Sequence, residues 1–165
     1  DIASNFTTNR MLIDYEERFY DKLAARKRKL SADSCLLARE IAAWKRKVSA
    51  AWDQVRAVDV ERVKIDKEAV CVGEKYRFSV TVDIANLRPE DIGVEMVIAR
   101  QIVGGQGVNV VRTIRLERTR TDNNLVTYAL DYTPDETGTF DVALRIYPCN
   151  PHLPHRMDFA LVKWA

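Results

Sequence analysis

The residues able to do chemistry are few in this chain, and their spacing narrows what each can do. His152 and His155 are its two histidines, three apart in a proline-rich loop running from Pro148 to Pro154. Two imidazoles at that spacing can share a metal, but a third ligand close by is lacking, and no nucleophile pairs with either. A surface loop is the expected reading. Cys35, Cys71 and Cys149 are odd in number, far apart and free of any CxxC spacing. That pattern fits small buried hydrophobes in a reducing compartment better than a disulfide framework or a metal site. Gly104-Gly105-Gln106-Gly107 invites comparison with a phosphate-binding loop. Such loops open a helix, whose first N–H groups hold the phosphate, whereas both flanks here read as strands. A flexible hairpin loop is expected. Arg26-Lys27-Arg28-Lys29 is the dense basic run, softened by Glu16, Glu17 and Asp21 before it. Cations at a helix C-terminus are each favoured by about 0.3–1 kcal/mol, so a solvated helix end explains the run without an anionic partner.

The elements that must position these groups fall into two parts, with the hydrophobic period changing near Val58. Before it, Leu12, Tyr15, Phe19 and Leu23 form one helical stripe, and Leu37, Ile41, Trp44, Val48, Trp52 and Val55 form another. Thr7 or Thr8 can cap the first helix, and Asp33 or Ser34 the second. The short link at Leu30–Ala32 implies an antiparallel helical hairpin over residues 1–58. After it, Arg77, Ser79 and Thr81 alternate with Phe78, Val80 and Val82, as in a half-buried strand. Similar runs lie near Glu61–Asp66, Val94–Ala99, Thr113–Arg118, Val126–Tyr132, Thr139–Tyr147 and Asp158–Trp164. Turn residues separate them at Gly73, Leu87–Glu90, Gly104-Gly105, Asp122–Asn124 and Pro134–Gly138. About seven strands at this spacing give an all-β, immunoglobulin-like or fibronectin-like sandwich over residues 59–165. The fold class is therefore α+β by segments. Tyr132 to Phe140 reads as a corner between two strands, a folding feature with both aromatics in the core.

Composition bounds the function. The chain has 165 residues, 47% hydrophobic and 30% charged, with a net charge of +2, which is a globular balance without the basic excess of a nucleic-acid binder. No apolar run reaches the ~20 residues that span a bilayer. The first residue is Asp1, not Met, with no signal-peptide pattern after it, so the sequence reads as part of something longer. Trp44 and Trp52 lie on the second helical stripe and are expected in a core or interface. Among the sandwich aromatics, Phe78 and Phe140 are expected inside, leaving Tyr76, Tyr147 and Trp164 as the exposed set a sugar could stack on.

Three segments carry a resemblance. NFTTNRMLIDYEERFY (Asn5–Tyr20) is similar to the C-terminal helix of glycogen and other α-glucan phosphorylases. AAWKRKVSAAW (Ala42–Trp52) resembles the following helix of the shorter bacterial and archaeal members. FDVALRIYPCNPHLP (Phe140–Pro154), closing with LVKWA (Leu161–Ala165), is similar to their ending and is the most specific of the three. The resemblance implies a cytoplasmic parent enzyme that transfers a glucosyl unit from an α-1,4-glucan to phosphate, with pyridoxal phosphate on a lysine. It also implies that the helices close the catalytic body and that the sandwich is an accessory domain. The family's lysine follows a Glu-Ala-Ser/Cys-Gly-type motif ending in Met-Lys, and Lys45, Lys47, Lys64 and Lys163 have different neighbours. No catalytic, cofactor-binding or metal residue is therefore assigned to this chain. Its expected partners are the catalytic domains of the same protein, with α-glucan and a second copy as further candidates; nucleic acid and membrane are not expected.

Overall fold

The computed structural model describes residues 8–63, 71–102 and 107–165. Thr7, Lys64, the strand end expected at Asp66 and Gly104–Gln106 lie outside them. Two compact units divide the chain, Asp1–Arg46 and Lys47–Ala165.

In the first unit, α1 (Thr8–Tyr15) runs into a five-residue π turn (Glu16–Tyr20) and then into α2 (Asp21–Ala51), whose last residues belong to the second unit. The two helical segments expected from the apolar spacing meet at a backbone break. Ala32 is extended (ψ 155°), and Asp33, Ser34 and Cys35 have φ of 47°, 54° and 62°. An N-cap residue has β-region dihedrals. Asp33 and Ser34 are left-handed instead, so neither is the cap expected of it; left-handed turns are tolerable for Asp but strained for Ser and Cys. The first stripe is exposed: Leu12, Tyr15, Phe19 and Leu23 keep between 52% and 61% of their surface.

The second unit opens with the last turn of α2 and the 3-10 turn Trp52–Gln54 after it, where Val48, Ala51, Trp52 and Val55 are all buried, as their stripe requires. Among the described residues eight strands follow: β1 (Arg56–Val63), β2 (Tyr76–Asp83), β3 (Ile92–Gln101), β4 (Val108–Arg115), β5 (Glu117–Asp122), β6 (Leu125–Tyr132), β7 (Asp141–Pro148) and β8 (Lys163–Trp164). They form two antiparallel sheets, ordered β1-β2-β6-β5 and β4-β3-β7-β8. The expected alternation in β2 is present, with Tyr76, Phe78, Val80 and Val82 buried. Val94, Met96, Ile98, Leu144 and Ile146 bring the second sheet to the same core.

Two expected strands are corrected. The run Thr113–Arg118 is two strands in different sheets, β4 ending at Arg115 and β5 starting at Glu117. Leu116, only 2% exposed, sits at the crossing, and its N–H donates to the Val94 carbonyl at 2.9 Å. The run Asp158–Trp164 is a 3-10 turn (Arg156–Phe159) followed by the two residues of β8.

Near the β2–β3 crossing, Asp91 is 2% exposed and accepts from the Arg88 backbone N–H at 3.0 Å and from its guanidinium, with Lys47 Nζ at 3.8 Å. Tyr128 on β6 is also buried, and its hydroxyl lies 3.4 Å from the Ile92 carbonyl, to which it donates. Burial pushes that hydroxyl up to about 12. An unfolded tyrosine ionises near 10, so above about pH 10 the unfolded chain sheds a proton that the fold still holds, and stability falls as pH rises toward 12. Urea midpoints at about pH 8 and pH 11.5 should show this loss, and Tyr128→Phe should shrink the difference between them.

Candidate functional site

The second sheet carries charge where a strand centre is normally apolar. Val94, Met96 and Ile98 of β3 face the core, so Gly93, Glu95 and Val97 face the other way. In register, Glu95 lies opposite Arg115 of β4 and Arg145 of β7, and Arg145 lies opposite Trp164 of β8. One row thus crosses all four strands: Arg115, Glu95, Arg145, Trp164.

Glu95 is 3% exposed. Arg145 donates to its Oε1 from Nε at 2.6 Å and also approaches it through Nη2. Arg156, arriving from the 3-10 turn, donates to Oε2. A carboxylate withdrawn from water needs such donors, and a guanidinium offers them in a fixed fork. The arginines also pack on rings: Arg156 lies 5.9 Å from the centroid of Tyr147, and Arg145 lies 5.7 Å from that of Trp164. Burial raises the Tyr147 hydroxyl above its ordinary value. Beneath Tyr147 is Gly93, its register partner, where an added Cβ would stand 2.6 Å from the ring. The end of the chain is tied down as well: Ala165 N–H donates to the Leu144 carbonyl at 2.9 Å. Lys163 Nζ donates to the carbonyls of Asp53 (3.0 Å) and Val55 (2.6 Å), just past the end of α2.

This arrangement holds rather than reacts. Both oxygens of Glu95 are engaged by cations, and a guanidinium does not give up its proton in a protein. The cluster fastens the stretch after β7 across the sheet and back to the helix end. It was legible in one respect: Glu95 interrupts the apolar run Val94–Ala99, and a lone acid in a central strand calls for a buried partner. Which arginines answer it depends on register and on the path of the tail, and neither has a local signal.

The sequence-level candidates are scattered. His152 and His155 are both exposed, the former in a turn where its backbone N–H donates to Asn150 Oδ1. Among the described residues no group of three His, Cys, Asp or Glu side chains is placed to hold a metal ion. Cys35 and Cys71 are exposed and Cys149 is half-buried, so the expectation of three buried thiols is corrected. Cys35 lies at the helix break, and Cys71 in the turn before β2, neither inside a packed layer. In the basic run, Lys27, Arg28 and Lys29 are exposed. Trp44 and Trp52 are buried as expected. Of the aromatics expected outside, Tyr76 is buried: the pleat turns it inward with Phe78, and its hydroxyl accepts from the Cys71 N–H at 2.8 Å. Tyr147 is half-buried, and Trp164 is 59% exposed. Tyr132 and Phe140, expected in the core, are half-buried on a cleft of about 850 Å³ whose floor includes Met96 and Ile98. Arg112 and Asp135 pair with one another there at 3.0 Å.

A family model, the glycogen phosphorylase C-terminal domain, matches residues 52–165, which is the sandwich and the turn leading into it. The chain belongs to the glycogen phosphorylase C-terminal domain family. The maltodextrin phosphorylase of Thermococcus litoralis is 31% identical to it over 167 aligned positions, covering 99% of this chain and 19% of the relative. Glycogen phosphorylases of Mycobacterium tuberculosis and Mycobacterium bovis are 27% identical over 158 positions, covering 95% of this chain and 18% of theirs. The chain therefore spans less than a fifth of the length of these curated relatives. No solved structure matches it. The family expected from the helix and tail motifs is the family found, and the Glu95 cluster is built largely from that tail.

Removing the charge of Glu95 should be expensive, because two arginines lose their shared partner. Glu95→Gln is expected to cost about 3–5 kcal/mol in urea unfolding, and replacing Arg145 and Arg156 by Met in the same chain should recover part of the loss. A single-variant loss below about 1 kcal/mol would mean that solvent screens the cluster like a surface ion pair.

Proposed function

We propose that this chain serves as the C-terminal accessory region of an α-glucan phosphorylase, and that it contributes packing rather than catalytic groups. The observation that carries the reading is the alignment, which takes in nearly all of this chain and under a fifth of each relative. In this reading the parent is a glycosyltransferase of the cytoplasm that transfers a glucosyl unit from an α-1,4-glucan to phosphate and makes glucose 1-phosphate. Its pyridoxal phosphate, when bound, supplies the acid/base phosphate group. Residues 1–58 close the catalytic body, and residues 59–165 form the accessory domain.

Lys163 and Lys47 do not fit that cofactor. A Schiff-base lysine must present a free amine, whereas Lys163 Nζ donates to two backbone carbonyls and Lys47 Nζ faces the buried carboxylate of Asp91. Borohydride reduction of the full-length enzyme should fix the cofactor on a lysine outside these residues. A reduced adduct mapped by mass spectrometry to Lys45, Lys47, Lys64 or Lys163 would sink the assignment. The same enzyme should release glucose 1-phosphate from maltoheptaose and phosphate.

Nothing about membranes is needed here, and no helix among the described residues is long and apolar enough to cross one. A second reading, of the sandwich as a glycan-binding module, has one observation in its favour, the exposed ring of Trp164. A sugar platform takes two or more exposed rings, and Tyr76 and Phe78 are turned into the core. The isolated chain should therefore bind maltoheptaose with a dissociation constant above about 1 mM, or roughly −4 kcal/mol. Tighter binding in calorimetry, abolished by Trp164→Ala, would make the glycan-binding reading the better one.

A further inference from the structure

The face of the second sheet turned away from the core holds more cations than its acid can use. Arg115, Arg145 and Arg156 surround Glu95, three positive charges to one negative. Counting Asp158, in the same 3-10 turn as Arg156, still leaves a surplus of one, and Glu117, past the crossing at Leu116, belongs to the other sheet. Hydrogen bonding is as uneven as charge. A guanidinium has five N–H donors and no acceptor. Arg145 turns Nε and Nη2 to Glu95, and Arg156 turns Nη1. Arg115 stands opposite Glu95 in register, yet it donates from Nη2 to Cys149 Sγ at 3.5 Å, a weak acceptor. These cations also meet at one ring. Burial raises the Tyr147 hydroxyl, and the charges of Arg115 and Arg156 both pull it back, which sets the two guanidiniums beside it. Arg145 and Arg156 keep 20% and 36% of their side-chain surface in water, and Arg115 is exposed, so a molecule from solution reaches all three. At the end of the row is the exposed ring of Trp164, with the Arg145 guanidinium 5.7 Å from its centroid.

We propose that this face binds a phosphomonoester, its phosphate held by Arg115 with the spare N–H groups of Arg145 and Arg156, and its attached ring laid on Trp164. A phosphomonoester carries about −1.5 to −2 charges at neutral pH, which matches the surplus. Its oxygens accept the paired N–H groups of a guanidinium fork, and that bond is stronger than one between neutral groups. Neighbouring strands lie about 4.8 Å apart, so the row from Arg115 to Trp164 spans roughly 14 Å, a length that a phosphate and an attached ring system can bridge. A neutral glucan lacks the group the arginines read, in keeping with the weak maltoheptaose binding expected of a single exposed ring. Sugar phosphates and nucleotides share the required chemistry. The recognition stands on these side chains whether or not the parent enzyme is a phosphorylase.

The test is calorimetry on the 165-residue chain at low ionic strength, with glucose 1-phosphate, uridine monophosphate, inorganic phosphate and methyl α-glucoside as probes. At least one of the two phosphomonoesters should bind with a dissociation constant below about 1 mM, and ~10-fold or more tighter than inorganic phosphate. The tighter of the two identifies the ring as sugar or base. Methyl α-glucoside should give no heat. Arg115→Gln should weaken phosphomonoester and inorganic phosphate alike by ~10-fold or more, and Arg115→Lys should restore part of the loss. Trp164→Ala should reduce the phosphomonoester to the affinity of inorganic phosphate and leave inorganic phosphate unchanged. Because Arg115 does not hold Glu95, Arg115→Gln should keep the urea midpoint of the parent chain. An arm that needs no variant is the indole N–H signals in a nitrogen-15 spectrum: Trp164 should shift on titration with the phosphomonoester, while the buried Trp44 and Trp52 stay in place. A still Trp164 signal overturns the proposal. So do unchanged affinity in Arg115→Gln, and phosphomonoesters that bind no better than inorganic phosphate.

Discussion

A carboxylate at 3% exposure in the middle of a sheet is the constraint around which the second unit is arranged. An ionised group there, without partners, would lose several kcal/mol of hydration. Glu95 is tolerable only when two guanidiniums reach it together. Arg145 comes by strand register, so β7 must lie beside β3 with Glu95 and Arg145 opposite one another. Arg156 comes from outside the sheet, so the stretch after Pro148 must fold back over that face. Tyr147 then lies on Gly93, and the space a side chain would need there is already occupied by its ring.

The same stretch continues to the end of α2. The carbonyls at a helix C-terminus lack backbone partners and carry partial negative charge, and the Lys163 ammonium satisfies those of Asp53 and Val55. On the other side of the junction, Lys47 approaches Asp91, which also fixes the turn between β2 and β3. The end of α2 and the 3-10 turn after it are thus joined to the sandwich by apolar burial of Val48, Trp52 and Val55 and by two ammonium groups on defined acceptors. Between them they account for a compact unit that begins inside the helix, at Lys47, and not at the first strand.

Most of the fold was legible because it rests on periodicity. Val48, Trp52 and Val55 repeat at helical spacing, and Phe78, Val80 and Val82 at strand spacing, and each set is buried as its period requires. What was missed needed information that no short window holds. Nothing in Thr113–Arg118 marks Leu116 as a crossing, since an apolar residue in a strand looks the same whether the strand continues or changes sheet. Tyr76, expected outside, shares the parity of Phe78 and faces the core with it. Periodicity predicts which face is apolar, not whether anything in the same chain covers it; hence Leu12, Phe19 and Leu23 are on the expected face and exposed. The Glu95 cluster had half a signal: the acid was visible in its apolar run, while its partners lie 50 and 61 residues away.

Those separations bear on how the chain reaches this state. The chain changes sheet at β2–β3, β4–β5 and β6–β7, so within each sheet several neighbours are distant in sequence. Closing loops of such lengths spends chain entropy before any contact compensates it, and folds dominated by distant pairings cross their barrier in milliseconds to seconds rather than microseconds. The β5–β6 hairpin, closed by Asn123 and Asn124, can form early because its strands adjoin in sequence. The pairing of β3 with β7 comes later, and the neutralisation of Glu95 by Arg156 cannot precede it. Until then a strand rich in valine, isoleucine and methionine has an unpaired edge, which makes the interval before β7 arrives the period of greatest exposure to aggregation.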